Sequence, residues 1–178
     1  VRRTEELRPV SVTRVGAGPD AVDVVDLGQN INGWVRLRSL GPAGATTTLT
    51  HGELLDEAGR VTLDHLVPFD FMKQEALSPG QVDQVVSRGE PGDTFEPRHT
   101  THGFRYVEVD GHEAPLTADD VTGVVVHTDL VRTGWFSCSD DRLERLHEAA
   151  IWSFRDNACD VPTDCPQRER APWTGDWQ

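Results

Sequence analysis

Cysteine is scarce in this sequence, and the three that occur suit neither disulfides nor a zinc site. Cys138, Cys159 and Cys165 give an odd number, and none of their spacings is that of a zinc-ligand pair. This pattern argues against a disulfide framework and against a structural metal, so we interpret all three as reduced thiols. The seven histidines show no metal-ligand spacing either. We therefore predict a protein with no metal and no cofactor.

Positive charge and long apolar runs are scarce as well. The 17 lysines and arginines face 30 aspartates and glutamates, which gives a formal net charge of −13. Nucleic acids and anionic membranes bind clustered positive charge, so we predict neither as a partner. No apolar run approaches the roughly 18 residues that cross a bilayer. An acidic surface of this kind is compatible with a neutral sugar as ligand.

The start of the chain bears on where the protein resides. The first residues lack the apolar stretch of a signal peptide, and the sequence does not begin with Met. We therefore expect the chain to start within a longer protein. Reduced thiols favour the cytoplasm, whereas a signal segment upstream would direct the protein to secretion, so the localisation stays open.

Short runs of Val, Thr and aromatic residues, separated by clusters of Gly, Pro and Asp, extend from Val10 to about Phe136. This pattern is typical of an antiparallel sandwich or barrel. The candidate strands are residues 10–15, 22–26, 34–40, 46–51, 82–87, 94–99, 104–109, 121–128 and 134–136. Turn sequences such as Asp110-Gly111 lie between them. We predict a mainly β fold, with an antiparallel, jelly-roll-like β-sandwich over residues 1–136.

The pattern changes after this region, where Ser139 or Asp140 can cap a helix. Apolar residues then recur at three- and four-residue spacing, at Leu143, Leu146, Ala150 and Phe154. This spacing predicts an amphipathic helix that ends before Pro162. We predict a second, helical unit that begins at residue 137 and extends to residue 178.

The segment after this helix combines carboxylates, arginines and tryptophans with three prolines. Pro162, Pro166 and Pro172 each fix φ, remove a backbone donor and push the preceding residue toward extended geometry. A regular helix is therefore excluded here. The carboxylates of this segment must project from a loop, and they belong to Asp164, Glu169 and Asp176.

A loop of this composition has the groups that glycosidic bond cleavage needs. One carboxylic acid protonates the leaving oxygen, and a second carboxylate acts as base or nucleophile. Arg168 and Arg170 bracket Glu169, and a neighbouring cation can separate the pKa values of two carboxyl groups. Trp173 and Trp177 offer flat faces that suit a sugar ring. The alternative is a solvated acidic loop whose tryptophans pack in the core.

The order of these residues resembles the opening of the catalytic domain in inverting bacterial α-L-rhamnosidases, glycoside hydrolase family 78. Two motifs carry the resemblance here, Asp164-Cys165-Pro166-Gln167-Arg168 and Trp173-Thr174-Gly175-Asp176. Three upstream stretches resemble the β-sandwich that precedes that domain, namely Asp26-Leu27-Gly28-Gln29-Asn30, Gly33-Trp34-Val35-Arg36-Leu37 and His102-Gly103-Phe104-Arg105-Tyr106-Val107. The resemblance therefore covers nearly the whole chain.

This resemblance implies a function and a set of site residues. It implies that residues 137–178 form the first helix and catalytic loop of a truncated (α/α)6 barrel, with Glu169 as the general acid. The residues implied to bind the substrate are Asp164, Arg168, Trp173 and Asp176. The implied reaction is hydrolysis, with inversion, of terminal α-L-rhamnosyl residues in a glycoside or polysaccharide.

The resemblance also implies that the general base lies beyond this chain, in the remainder of the barrel. We therefore expect the chain alone to be an inactive fragment of a glycosidase. The alternative function is a non-catalytic carbohydrate-binding or structural β-sandwich module, since one fold hosts many functions. The loop after Pro162 discriminates between the two, because a pure binding module has no need for its carboxylates.

Overall fold

The computed structural model describes residues 1–38, 40–67, 69–70, 72–76 and 78–177, and within these ranges the side chains of all residues except Phe69, Asp70, Thr174 and Asp176. The strands are β1 (Arg2–Leu7), β2 (Ser11–Val15), β3 (Val22–Leu37), β4 (Thr46–Gly52), β5 (Leu54–Leu55), β6 (Val61–Thr62), β7 (Phe69–Asp70), β8 (Glu75–Ala76), β9 (Val82–Val86), β10 (His102–Asp110), β11 (Val121–His127), β12 (Ala158–Cys159) and β13 (Val161–Pro162). The α-helix α1 spans Asp141–Asn157, and 3-10 turns span Gly18–Asp20, Asp64–Leu66 and Thr174–Trp177.

Seven strands form one antiparallel sheet in the order β1-β11-β3-β10-β4-β9, with β2 also paired to β3. The long strand β3 organises this sheet. One of its edges pairs with β10 from Asp23 to Gly33, and its other edge pairs first with β2 and then with β11. Gly28, at a φ of 75°, lies where the register with β10 shifts, a conformation that glycine adopts without strain.

The inner face of this curled sheet carries the hydrophobic core. Successive side chains of a strand point to opposite faces of the sheet. Those that point inward are mainly Val, Leu, Ile and Phe. The fully buried members are Val25, Ile31, Leu37, Leu49, Phe104, Val107 and Val109. Trp152 of α1 packs against the same cluster. The helical segment therefore shares the core of the sheet.

The prediction of a mainly β, antiparallel fold is confirmed, with corrections to individual strands. Residues 22–26 and 34–37 belong to the single strand β3. The predicted strand at 94–99 is wrong, because only Phe95 bridges to Leu37, and Pro97 has no N–H to continue the ladder. The predicted strand at 134–136 is also wrong, since those residues have no strand partner within the described chain.

The helix begins as predicted, with Asp140 as its N-cap. The Asp140 carboxylate accepts a hydrogen bond from the backbone N–H of Arg142 at 2.9 Å. The predicted apolar stripe remains on the surface, where Leu143, Leu146 and Phe154 are exposed. The helix contacts the sheet instead near its C-terminal end, through Trp152 and Asp156. In the described residues, no helix combines the length and apolar character that crossing a membrane would need.

Candidate functional site

The segment after α1 is irregular, as the prolines predict. It starts with the two-stranded hairpin of β12 and β13, which the Thr128 N–H anchors to the sheet by donating to the Ala158 carbonyl at 2.6 Å. A turn follows from Pro166 to Glu169. We call residues 164–173 the acid loop, because it carries the predicted general acid.

Asp164 closes the acid loop on itself. The backbone N–H of Asp164 donates to the Ala171 carbonyl at 3.0 Å, and the Ala171 N–H donates to Asp164 Oδ1 at 2.9 Å. Between these ends, the Glu169 N–H donates to Cys165 Sγ at 3.3 Å. These hydrogen bonds close the loop, and Glu169 lies at its exposed side.

The surroundings of Asp164 in the acid loop stabilise its ionised carboxylate. Burial tends to raise the pKa of Asp164, but the N–H groups of Ala171 and Cys165 and the neighbouring Glu169 side chain hold this pKa below its ordinary value. Asp164 therefore favours its ionised form, and Glu169 is the carboxyl group that the loop leaves exposed, where a leaving oxygen could reach it.

Only one of the two flanking arginines contacts Glu169. Arg168 Nη2 lies 3.1 Å from Glu169 Oε1, and both side chains are almost half exposed, so this ion pair contributes little stability. Arg170 has a φ of 54°, and its side chain contacts the sheet instead, where its Nη2 donates to Gln81 Oε1 at 3.2 Å. The prediction that both arginines bracket the Glu169 carboxylate is therefore wrong for Arg170.

The two tryptophans have different environments. Trp173 is 56% exposed and its backbone N–H donates to the Ala171 carbonyl, so its ring is accessible beside the acid loop. Trp177 packs on Phe154, with 4.9 Å between the ring centroids, and its Nε1–H donates to the Thr163 carbonyl at 3.1 Å. The structure thus brings together Asp164, Arg168 and Glu169 and leaves Trp173 accessible. The side chain of Asp176, the remaining predicted site residue, lies outside the described residues.

The acid loop is docked on the sheet by residues that the sequence did not single out for this role. Pro166 and Gln167 are buried over Gly103 of β10. The Gln167 side-chain amide donates to Glu53, which also accepts from Asn30 Nδ2 at 2.8 Å. A glycine within a strand is the usual sign of such a close approach, and Gly103 is the signal that could have indicated it.

A cavity of about 140 Å³ lies between the acid loop and the sheet, with Asn32, Asp156, Thr163 and Arg170 in its lining. Asp156 is only 5% exposed and accepts a hydrogen bond from the backbone N–H of Asn32 at 2.9 Å. Burial raises the pKa of Asp156 to about 7, and the charge of Glu53 acts in the same direction. This is a second protonatable carboxyl group near the loop.

We expect the raised pKa of Asp156 to make the protein less stable as the pH rises from 5 to 7. In that range Asp156 of the unfolded chain, with its ordinary pKa of 3.8, is already ionised. Asp156 of the folded chain retains its proton. The free energy of unfolding therefore falls by up to about 1.4 kcal/mol for each pH unit in this range. Asp156→Asn removes the titrating group and should abolish this dependence of stability on pH. Urea unfolding of wild type and variant at pH 5, 6 and 7 measures the difference, and parallel stability curves would contradict the expectation.

One group within the described residues has ligand types that could hold a metal ion, namely His51, Asp83 and His102. Its ligand atoms lie within 4.8 Å of one another, but the two imidazole rings are stacked at 4.1 Å with an angle of 14° between their planes. Imidazole lone pairs lie in the ring plane, so two nearly parallel stacked rings do not direct them at one ion. The absence of a metal site stays a prediction.

Comparison with known families and proteins gives matches over most of the chain. Residues 17–127 match the family model described as the bacterial alpha-L-rhamnosidase concanavalin-like domain, and residues 131–178 match that of the bacterial alpha-L-rhamnosidase 6 hairpin glycosidase domain. An alpha-L-rhamnosidase of Streptomyces avermitilis is 41% identical over 177 residues, which are 99% of this chain and 16% of that protein. One of Formosa agariphila is 33% identical over 176 residues, 99% of this chain and 18% of that protein.

Solved structures give the same result. The crystal structure of the Streptomyces avermitilis alpha-L-rhamnosidase complexed with L-rhamnose superposes with a TM-score of 0.85 at 40% identity, over 98% of this chain and 16% of that one. The alpha-L-rhamnosidase from Dictyoglumus thermophilum gives a TM-score of 0.84 at 34% identity, over 98% of this chain and 18% of that one. The chain therefore spans about a sixth of the length of these relatives.

Proposed function

Because this chain belongs to the bacterial α-L-rhamnosidase family, we propose that it is the part of an α-L-rhamnosidase that carries the general acid. The enzyme would hydrolyse terminal α-L-rhamnosyl residues of a glycoside or polysaccharide. The observation that carries the proposal is the pair of carboxyl groups in the acid loop, where Glu169 is exposed and the surroundings of Asp164 favour its ionised form. A non-catalytic sugar-binding or structural module would have no need for such a pair.

In the proposed reaction, Glu169 transfers its proton to the glycosidic oxygen as the bond from that oxygen to the anomeric carbon breaks. The sugar passes through an oxocarbenium-like transition state, and a water molecule attacks its opposite face. A second carboxylate, beyond this chain, takes a proton from that water. The product is the sugar with inverted configuration, and the leaving group departs as the neutral alcohol.

The remaining proposed site residues bind the rhamnose ring. Arg168 and the ionised Asp164 flank Glu169 and can bond sugar hydroxyl groups. Trp173 supplies an exposed aromatic face for the apolar side of the ring. Asp176 is assigned to the same role by its place in the motif alone.

We also propose a division of labour between residues 1–136 and residues 137–178. The first part would be the β domain that supports the acid loop, and the second would open the helical catalytic domain. The contacts of Gln167 with Glu53 and of Arg170 with Gln81 support this proposal, because they join the loop to the sheet. The chain alone would be inactive, since it lacks the general base.

The test is hydrolysis of p-nitrophenyl α-L-rhamnoside by the enzyme that contains this chain, followed by proton NMR of the sugar first released. We expect nitrophenol release and β-L-rhamnose as the initial product, whereas the isolated 178-residue chain should release none. Initial release of the α anomer would contradict inversion. Hydrolysis of another glycoside but not of rhamnosides would overturn the proposed substrate class.

A further inference from the structure

We propose that Gln81 is a positioning residue for the acid loop, which it holds through Arg170, and that the buried pair of His102 and Asp83 fixes the orientation of its side chain. The inference rests on the proposed role of Glu169 as general acid. It adds three residues of the β domain, outside the acid loop, to those that position the general acid.

The side chain of Gln81 is fully buried and bonded on both ends of its amide. Its Nε2 donates to the backbone carbonyl of Gly103 at 2.7 Å and to that of His51 at 3.4 Å. Because both partners are carbonyl oxygens, the nitrogen must face them, and the orientation of the amide is determined. Its Oε1 is then the acceptor for both His102 and Arg170, at 3.3 and 3.2 Å.

His102 is the group that reinforces this orientation. Its Nδ1 faces Gln81 Oε1, and its Nε2 faces Asp83 Oδ2 at 3.0 Å. Both ring nitrogens face acceptors, so the ring links the Gln81 amide oxygen to the Asp83 carboxylate. Burial raises the pKa of Asp83, but the hydrogen bond and the charge of His102 outweigh it and hold this pKa below the ordinary value.

His51 completes this buried group as a neutral ring. Burial, together with the charge of His102, lowers the pKa of His51 to about 3. Its ring stacks on His102 at 4.1 Å, and its Nδ1 lies 3.2 Å from the backbone oxygen of Gln81. Gln81 is therefore held from its backbone and from its side chain, so it presents Oε1 as a fixed acceptor.

The loop side of this contact is Arg170, which directly follows Glu169. Its guanidinium is half-buried, and among the described residues Gln81 is its only hydrogen-bond partner. The Arg170 side chain reaches the sheet at Gln81, while the Glu169 side chain stays exposed. Anchoring Arg170 on Gln81 thus fixes the chain at the position next to the carboxyl group that must meet the glycosidic oxygen.

Displacement of the general acid should lower the rates on different substrates by different factors. Proton transfer to the leaving oxygen matters most when the leaving group is a strongly basic alkoxide, and least when it is a stabilised phenolate. Loss of the anchor should therefore lower the rate on an alkyl α-L-rhamnoside more than the rate on the p-nitrophenyl rhamnoside. A side chain that only supports the fold would change both rates alike.

The experiment compares Gln81→Met with Gln84→Met in the enzyme that contains this chain. Gln84 lies on β9, is exposed and bonds Thr48, so its replacement is the same chemical change away from the loop. For Gln81→Met we expect kcat/KM on methyl α-L-rhamnoside to fall about tenfold or more, with a change of roughly twofold on the p-nitrophenyl substrate. Gln84→Met should change neither.

Arg170→Met removes the same contact from the loop side, so it replaces Gln81→Met if that variant fails to fold. The double variant should lose no more than Gln81→Met alone, because that change has already broken the contact between Gln81 and Arg170. An equal loss on both substrates, or additive losses in the double variant, would overturn the inference. The proposed function would still stand in that case, because it depends on the activity of the wild type. A wild type that hydrolyses neither rhamnoside would overturn both.

Discussion

Replacing Glu169 with Gln is expected to lower kcat on an alkyl α-L-rhamnoside by about two to four orders of magnitude. The amide has the shape of the carboxylic acid, and the hydrogen bonds that close the acid loop do not use the Glu169 side chain, so the loop keeps its geometry. It has no proton to transfer to the leaving oxygen. Steady-state kinetics with the alkyl and the p-nitrophenyl rhamnoside measure the effect, and the loss should be smaller on the p-nitrophenyl substrate.

The matched control for this change is Glu57→Gln, which makes the same substitution at an exposed position in the turn between β5 and β6. It should leave both rates unchanged. Substrate affinity should also survive in Glu169→Gln, because the sugar ring is assigned to other side chains. Normal turnover by Glu169→Gln at equal folded fraction would show that the acid lies elsewhere.

Part of this site could be predicted from the sequence because its signals are local. Prolines at positions 162, 166 and 172 exclude a helix whatever the rest of the chain does. Asp140 caps the helix that begins at the next residue. The order of carboxylates, arginines and tryptophans in the final segment pointed to glycosidic chemistry before any fold was known. Each of these inferences uses residues that are near one another in the chain.

The docking of the loop could not be predicted, because its contacts join residues that are far apart in sequence. Gln167 and Glu53 are separated by 114 positions, and Arg170 and Gln81 by 89. Nothing in the neighbourhood of Gln81 or Glu53 indicates a partner in the final segment. The strand β1 was missed for a different reason, since its sequence RRTEEL is polar and pairs at the edge of the sheet, where no apolar alternation is required.

These contacts give the sheet a role in the proposed reaction. The acid loop rests on β10 at Gly103, and side chains on either side of that point hold it through Glu53 and Gln81. A general acid must lie within hydrogen-bond reach of the leaving oxygen, so small displacements of the loop matter. We therefore expect the sheet to hold the carboxyl group of Glu169 in place.

Gly103→Ala is the substitution that should displace the loop most directly. A Cβ at this position would lie 2.6 Å from Pro166 Cγ and 2.7 Å from Gln167 Cγ, well inside ordinary van der Waals contact. The proline ring cannot rotate away, and residue 103 lies within a strand, so the loop must move, by roughly 1 Å. A displacement of this size can lower kcat by about a hundredfold.

The control is Gly123→Ala on β11, where an added Cβ would lie 2.6 Å from Leu27 Cδ1 in the core. Both variants overpack the protein and should lower the free energy of unfolding by about 1–3 kcal/mol. Only Gly103→Ala should also lower kcat for each folded molecule, because only that Cβ pushes on the acid loop. Equal activity per folded molecule in the two variants would show that contact with the sheet does not position Glu169. A loss of activity confined to Gly103→Ala would separate positioning from stability, since the two changes strain the fold alike.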